Sequence, residues 1–294
     1  MTEKLKVAIL GSGNIGTDLL IKIRRSPLLD CALFIGRNPD SLGLQRAREL
    51  GVDVSHSSIK AIIDRPDVCD LVFDATSAVE HIKHEPVLRG LGKLVIDLTP
   101  SRIGTMAIPA INLNGFVHER NFSMVSCGGQ ASTPLAYTIA QTHPDVEYFE
   151  VVSSISSLSA GPATRANLDE YIDTTETALR AFTGCESAKA ILILNPAQPP
   201  IQMQTTVSAK VGKADLHKLR PAIDRMVATI KSYVPGYEMI VSPVYEHNRI
   251  VVMVRVTGRG DFLPPYAGNL DIINCAAIAT AEHYARRLAK EGKP

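Results

Sequence analysis

Net charge is the first thing this sequence lacks. Its 294 residues carry 31 Lys and Arg against 30 Asp and Glu, a formal net charge of +1 at pH 7. So balanced a chain gives no electrostatic case for nucleic acid or an anionic membrane surface. It also lacks an apolar run long enough to cross a bilayer, and Met1-Thr-Glu-Lys-Leu-Lys6 leads straight into a strand-like segment with no signal peptide. Cysteines are few. Cys31, Cys69, Cys127, Cys185 and Cys275 make five, an odd number with no CxxC pair and no metal-ligand spacing. No metal is expected from that pattern, and reduced thiols in a cytoplasmic protein are. Repeats and low-complexity segments are absent too. What remains, 45% hydrophobic and 21% charged residues, is the make-up of a globular protein long enough for one large or two ordinary domains.

The stretch Ser123-Met-Val-Ser-Cys127-Gly-Gly-Gln-Ala-Ser132 organises the rest. An apolar run ends at Val125, and a cysteine, two glycines and a helical pattern follow. Cys127 is therefore expected where a strand or loop turns into a helix. Unpaired N–H groups and partial positive charge at a helix N-terminus favour thiolate over thiol, and thiolate is the nucleophile. Gly128 and Gly129, lacking Cβ, would let a small electrophile near the sulfur. The competing reading is a buried structural cysteine.

From the start of the chain, Leu5-Lys-Val-Ala-Ile-Leu10 reads as a buried parallel strand. Gly11-Ser-Gly13-Asn-Ile-Gly16 follows, then a helical pattern over Asp18–Arg25. Strand, GxGxxG and helix in that order form the dinucleotide-binding fingerprint. The next strand, Cys31–Ile35, ends in Gly36-Arg37-Asn38, with no carboxylate before Asp40 to bind a ribose 2′-OH. An arginine there can meet a 2′-phosphate, so NADP is admitted beside NAD. Helices over 41–50, 57–64 and 79–89 alternate with strands over 70–74, 93–97 and 121–125. That alternation predicts a Rossmann-type, doubly wound parallel sheet. Thr76, Ser77, Thr99 and Pro100, at strand ends, are candidate crevice residues and equally candidate caps and turn formers.

Beyond Cys127 the pattern changes. Strands are expected over 148–155, 189–194, 203–210, 237–245 and 249–256, with helices over 169–182 and 216–234. This predicts a second, α+β domain on a mostly antiparallel sheet. An alanine-rich helix over 269–289 closes the chain. The expected division is a dinucleotide domain over 1–127, completed by the C-terminal helix 269–294, and a catalytic and dimerisation domain over 128–268. His143, His217 and His247 read as solvated residues.

The chain resembles the acylating acetaldehyde dehydrogenases, NAD- and coenzyme A-dependent enzymes that work with 4-hydroxy-2-oxovalerate aldolase. The resemblance is carried by Gly11-Ser-Gly-Asn-Ile-Gly-Thr-Asp18, Phe73-Asp-Ala-Thr-Ser-Ala78, Asp97-Leu-Thr-Pro100, Cys127-Gly-Gly-Gln-Ala131, Ser159-Ala-Gly-Pro-Ala-Thr-Arg-Ala-Asn167, Asn195-Pro-Ala197, Tyr233-Val-Pro-Gly-Tyr237 and Tyr266-Ala-Gly-Asn-Leu-Asp-Ile272. It implies that Cys127 forms an acyl-thioester. Ser12, Gly13, Asn14 and Ile15 would hold the cofactor pyrophosphate. Ser159, Ala160, Gly161, Pro162, Ala163, Thr164, Arg165, Ala166, Asn167 and Asn269 would contact NAD near the nicotinamide. Backbone N–H groups at the Gly128 helix start, and Gln130, are candidates for holding an oxyanion.

The resemblance further implies acetaldehyde or propanal as substrate, a place in aromatic hydrocarbon catabolism, and a homodimer or a hetero-oligomer with the aldolase. Two positions depart from the family pattern. Relatives carry an acid within an Arg-Asp-Thr segment, where this chain has Met203-Gln-Thr-Thr206 with Thr205 in the acidic place. Many also carry an acid near Arg37. The alternatives are a phosphorylating semialdehyde dehydrogenase of similar architecture, or a catalytically weak homologue acting as a binding or sensing partner.

Overall fold

A computed structural model describes residues 4–116, 119–161, 165 and 167–290. Two compact units emerge: residues 1–124 with 274–294, and residues 125–273.

The first unit holds strands β1 (Leu5–Leu10), β2 (Leu29–Ile35), β3 (Val54–Ser55), β4 (Leu71–Asp74), β5 (Leu94–Asp97), β6 (Thr105–Met106) and β7 (Asn121–Ser123). They pair in the order β3-β2-β1-β4-β5-β7-β6, and every pairing is parallel. Apart from the exposed Lys6 of β1, strands β1, β4 and β5 are buried on both faces and read as apolar runs, which β4 and β5 close with Asp74 and Asp97. Helices α1 (Asn14–Ile23), α2 (Leu42–Glu49), α3 (Lys60–Ile63), α4 (Ala78–Gly90) and α5 (Pro109–Asn112) alternate with them. The strand order reverses between β1 and β4, which is where doubly wound sheets bind ligands. The expected strand over 121–125 stops at Ser123, because Val125 adopts a left-handed backbone (φ 62°) that no strand continues through.

The second unit begins with α6 (Cys127–Thr142) and β8 (Tyr148–Ser156). Then come α7 (Leu168–Thr183), β9 (Ala188–Asn195), β10 (Met203–Lys210), α8 (Leu216–Lys231), β11 (Tyr237–Glu246) and β12 (Arg249–Val256). The sheet order is β11-β12-β10-β8-β9. All pairings are antiparallel except β8 with β9, which α7 joins as a crossover. His247 and Asn248, both left-handed, make the tight β11–β12 turn. Helix α6 packs on β10, α7 on β9 and α8 on β11. Phe149, Val151, Ser153 and Ile155 of β8 are buried, whereas Ile191 and Ile193 of β9 are exposed at 38% and 44%. The last helix, α9 (Gly268–Lys290), starts in the second unit and ends in the first.

Candidate active site

The first unit carries a cleft of about 300 Å³ at the strand-order reversal, lined by Gly11, Ser12, Gly13, Arg37, Thr76 and Ser77 among others. Gly11 has φ +123°, and a Cβ there would collide with the Ala75 carbonyl. A Cβ on Gly13 would meet nothing, so the turn leaves open space beside the start of α1. That helix has no side-chain cap and no acidic residue in its first turn. Its free N–H groups and dipole fit an anion such as a pyrophosphate. Ser12 is fixed by a 3.0 Å hydrogen bond with Ser41. No carboxylate lines the cleft, and Arg37 is its one charged lining residue among those described. Thr76 and Ser77 fill both roles expected of them: they line the cleft, and Ser77 caps α4 by accepting from the Glu80 N–H.

In the second unit, Ser126 caps α6, its Oγ accepting from the Gly129 N–H at 2.8 Å and lying 2.7 Å from Thr175 Oγ1. This places Cys127 at the first helical position. Burial pushes its thiol up, the Tyr171 hydroxyl and the Gly128 N–H pull it down, and the net value is about 11. The helix N-terminus thus does not by itself yield a thiolate here, because desolvation outweighs it. Cys31 and Cys69 are driven by burial to about 12 and 11, and Cys275 is buried. Only Cys127 and Cys185 are partly exposed.

The space that Gly128 leaves is filled. A Cβ there would strike the Tyr171 hydroxyl and come 3.2 Å from Ser153 Oγ. Ser153 and Thr205 face each other across β8 and β10, with their hydroxyls 3.0 Å apart. Thr205 is 1% exposed and meets Ser153. Sequence reasoning marked Thr205 but missed Tyr171 and Ser153, since nothing local sets one tyrosine or serine apart.

Of the remaining expected contacts, Ser159 is buried and donates to the Ser156 carbonyl at 2.8 Å. Arg165 folds back onto its own loop, its guanidinium donating to the Ala160 and Ser157 carbonyls. Pro162, Ala163, Thr164 and Ala166 lie outside the described residues. Asn167 leads into α7, and Asn269, 1% exposed, has a buried Oδ1 with no hydrogen-bond donor. Such an orphaned acceptor fits a ligand amide, as a nicotinamide carries. The set divides between the units: Ser12–Ile15 in one, Cys127, the 159–167 loop and Asn269 in the other.

His217 and His247 are exposed as expected, but His143 is not solvated. It is 4% exposed, and its Nε2 accepts from the Asp215 N–H at 2.9 Å, because α6 ends against the start of α8. A second buried cluster went unmarked in the sequence. Asp74, ending β4, accepts from His81 Nδ1 at 3.0 Å and His84 Nδ1 at 2.9 Å. Burial pushes the Asp74 carboxyl up, but these bonds and one from Thr76 outweigh it and hold it at about 2. Its neighbour Asp97 is raised by burial to about 6 despite bonds from Ser101 and Thr99. His81 is raised as well: burial lowers it, and Asp74 and Asp97 overcome that.

A family model described as prokaryotic acetaldehyde dehydrogenase, dimerisation, matches residues 127–264. An acetaldehyde dehydrogenase of Pectobacterium atrosepticum is 57% identical over 284 residues, 96% of each chain. One of Spirochaeta aurantia is also 57% identical, covering 97% of this chain and 96% of that one. One of Geobacillus stearothermophilus is 48% identical, covering 97% of each. In fold, the chain is similar to aspartate semialdehyde dehydrogenase II of Vibrio cholerae, with a TM-score of 0.65 at 14% identity over 97% of this chain and 99% of that one. A nucleotide-type parallel sheet and a separate mixed sheet, in a chain so closely matched to acetaldehyde dehydrogenases, define an oxidoreductase of the aldehyde dehydrogenase class. Within that class, the chain belongs to the acetaldehyde dehydrogenase family.

Proposed function

We propose that this protein oxidises a short-chain aldehyde, acetaldehyde or propanal, and passes the acyl group to coenzyme A through a thioester on Cys127. The observation that carries the reading is the placement of a partly exposed cysteine at the capped start of α6, where backbone N–H groups converge. The Cys127 thiolate attacks the aldehyde carbonyl carbon, and the N–H groups of α6 receive the resulting oxyanion. Loss of hydride from that adduct leaves the acyl-thioester. The coenzyme A sulfur then attacks the carbonyl and Cys127 leaves with its electron pair. Summed, aldehyde, coenzyme A and NAD+ give acyl-coenzyme A, NADH and one proton.

A bound nicotinamide cofactor supplies the hydride acceptor. Ser12, Gly13, Asn14 and Ile15 would hold its pyrophosphate, with Ser159, Ala160, Gly161, Arg165, Asn167 and Asn269 toward the nicotinamide. The open α1 N-terminus and the orphaned Asn269 acceptor support that assignment. Arg37, with no carboxylate beside it in the cleft, supports acceptance of NADP as well as NAD.

The family model's dimerisation description and the exposed Ile191 and Ile193 of β9 support a homodimer built there. A reactive aldehyde product gives chemical reason for a complex with 4-hydroxy-2-oxovalerate aldolase. Among the described residues no helix is long and apolar enough to cross a membrane, which suits the proposed cytoplasmic location. The test is NADH formation from acetaldehyde with coenzyme A, with phosphate, and with neither. Formation that needs coenzyme A supports the reading. Formation that needs phosphate identifies a semialdehyde-type enzyme, and no formation under any condition points to a binding or sensing role.

A further inference from the structure

In the resting protein, Cys127 is a thiol whose proton must leave before the sulfur can act, and among the described residues no carboxylate is one of the groups that shift it. Those that shift the thiol are the Tyr171 hydroxyl and the N–H groups of residues 127 and 128, none of them charged. From β8 and β10, the Ser153 hydroxyl lies against Gly128 and the Thr205 hydroxyl lies behind it, also uncharged.

The Tyr171 hydroxyl occupies a particular place in this set. It fills the space a Gly128 Cβ would take, beside Ser153 Oγ and one residue from Cys127, and the groups that shift it are the Cys127 thiol, the Ser153 hydroxyl and the Gly128 N–H. Yet it makes no hydrogen bond of full geometry, although Tyr171 is only 8% exposed. A buried hydroxyl rarely stays without a partner. A phenol has one proton to give and two lone pairs to receive. Of the groups that shift it, only an ionised sulfur has no proton of its own, so the sulfur is the acceptor for which the phenol proton is available. Thr205 Oγ1, 3.0 Å behind Ser153 Oγ, supplies the next hydroxyl in the row. The row is closed off at its near end by Gly128, where any Cβ would displace the tyrosine.

Resting on the role proposed for Cys127, we infer that Tyr171 is the hydrogen-bond donor that meets the Cys127 sulfur when it ionises, and that Ser153 and Thr205 are positioning residues that aim this donor. The S–H bond breaks, the sulfur keeps the electron pair, and the proton leaves to water, since Cys127 is partly exposed. Tyr171 keeps its own proton and turns an unsatisfied hydroxyl into a charge-assisted donor. Thr205 therefore serves a neutral row of hydroxyls.

The test measures the thiol directly. Iodoacetamide labelling of Cys127 is followed against pH by site-resolved mass spectrometry, which separates it from the partly exposed Cys185. Tyr171→Phe, which keeps the ring, is expected to move the labelling midpoint up by about one pH unit and to slow aldehyde oxidation about tenfold. Ser153→Ala and Thr205→Val are expected to shift it in the same direction by less, and Thr205→Ser to restore what Thr205→Val loses. Should Tyr171→Phe not fold, the Ser153 and Thr205 variants carry the test alone. A labelling profile unchanged in these variants overturns the inference. Labelling needs neither coenzyme A nor NAD. A shifted midpoint in a protein without acyl transfer would thus keep this inference and reject the proposed function.

Discussion

Cys127 shows how two local effects compete at one atom. The start of α6 favours the thiolate, while burial opposes it and prevails, leaving the thiol at about 11. At pH 8 on the order of one thiol in a thousand is then ionised. The rate of acylation is accordingly expected to rise with pH from 7 toward 10, read by single-turnover NADH formation; a plateau starting below pH 7 would show a base acting on the thiol. Arg37 makes a separate prediction. Arg37→Ala should lower kcat/KM for NADP about tenfold and leave that for NAD within about twofold, by the worth of one charged contact; equal losses for both would place Arg37 away from the 2′-position. The turns into a helix that hold Ser12, Gly13 and Cys127 were legible because their motifs are contiguous. Tyr171, Ser153 and the Asp74–His81–His84 cluster were not, because they meet only after distant elements pack.

Among the elements, most of the long ones were readable to within a residue or two, but α1 starts four residues before its expected start and α8 stops three before its expected end. β10 and β12 run over the segments their pattern predicts. β3 and β6, of two residues each, went unread because a pair of residues has no period. The parallel pairing of β8 with β9 was also hidden: the pattern gives strand, helix, strand, and only the crossover by α7 sets the direction. The start of α6 is where element and function join. Ser126→Ala removes the cap and is expected to cost about 1 kcal/mol of stability. Gly128→Ala should do something different. Its new methyl would push the Tyr171 hydroxyl aside, so Cys127 labelling should slow while urea unfolding changes less than activity. Loss of stability without any change in labelling would show that Gly128 serves packing alone.

Over the whole molecule, the buried carboxylates of the first unit set opposing dependences on pH. Asp74, held at about 2 against an ordinary 3.8, contributes stability above pH 4 that is lost as pH falls toward 2. Asp97 is raised to about 6, so the folded state binds more protons than the unfolded one between pH 4 and 6, and stability falls as pH rises through that window. Asp97→Asn should remove that downward slope, seen as urea midpoints of wild type and variant converging or crossing between pH 4 and 6; parallel curves would mean that Asp97 ionises freely in the fold. The exposed Ile191 and Ile193, where a homodimer is proposed, predict that a double Ile191→Lys, Ile193→Lys variant elutes as a smaller species by size-exclusion chromatography, with its circular dichroism retained.

The central claim, that Cys127 carries the acyl group, has a direct measurement. Protein incubated with acetaldehyde and NAD but no coenzyme A, quenched in acid and digested, should yield one acetylated peptide, bearing the group on Cys127 and lost on brief exposure to coenzyme A. An acetyl group on Cys185 or another cysteine, or a Cys127→Ala protein that still forms NADH at the wild-type rate, would contradict it.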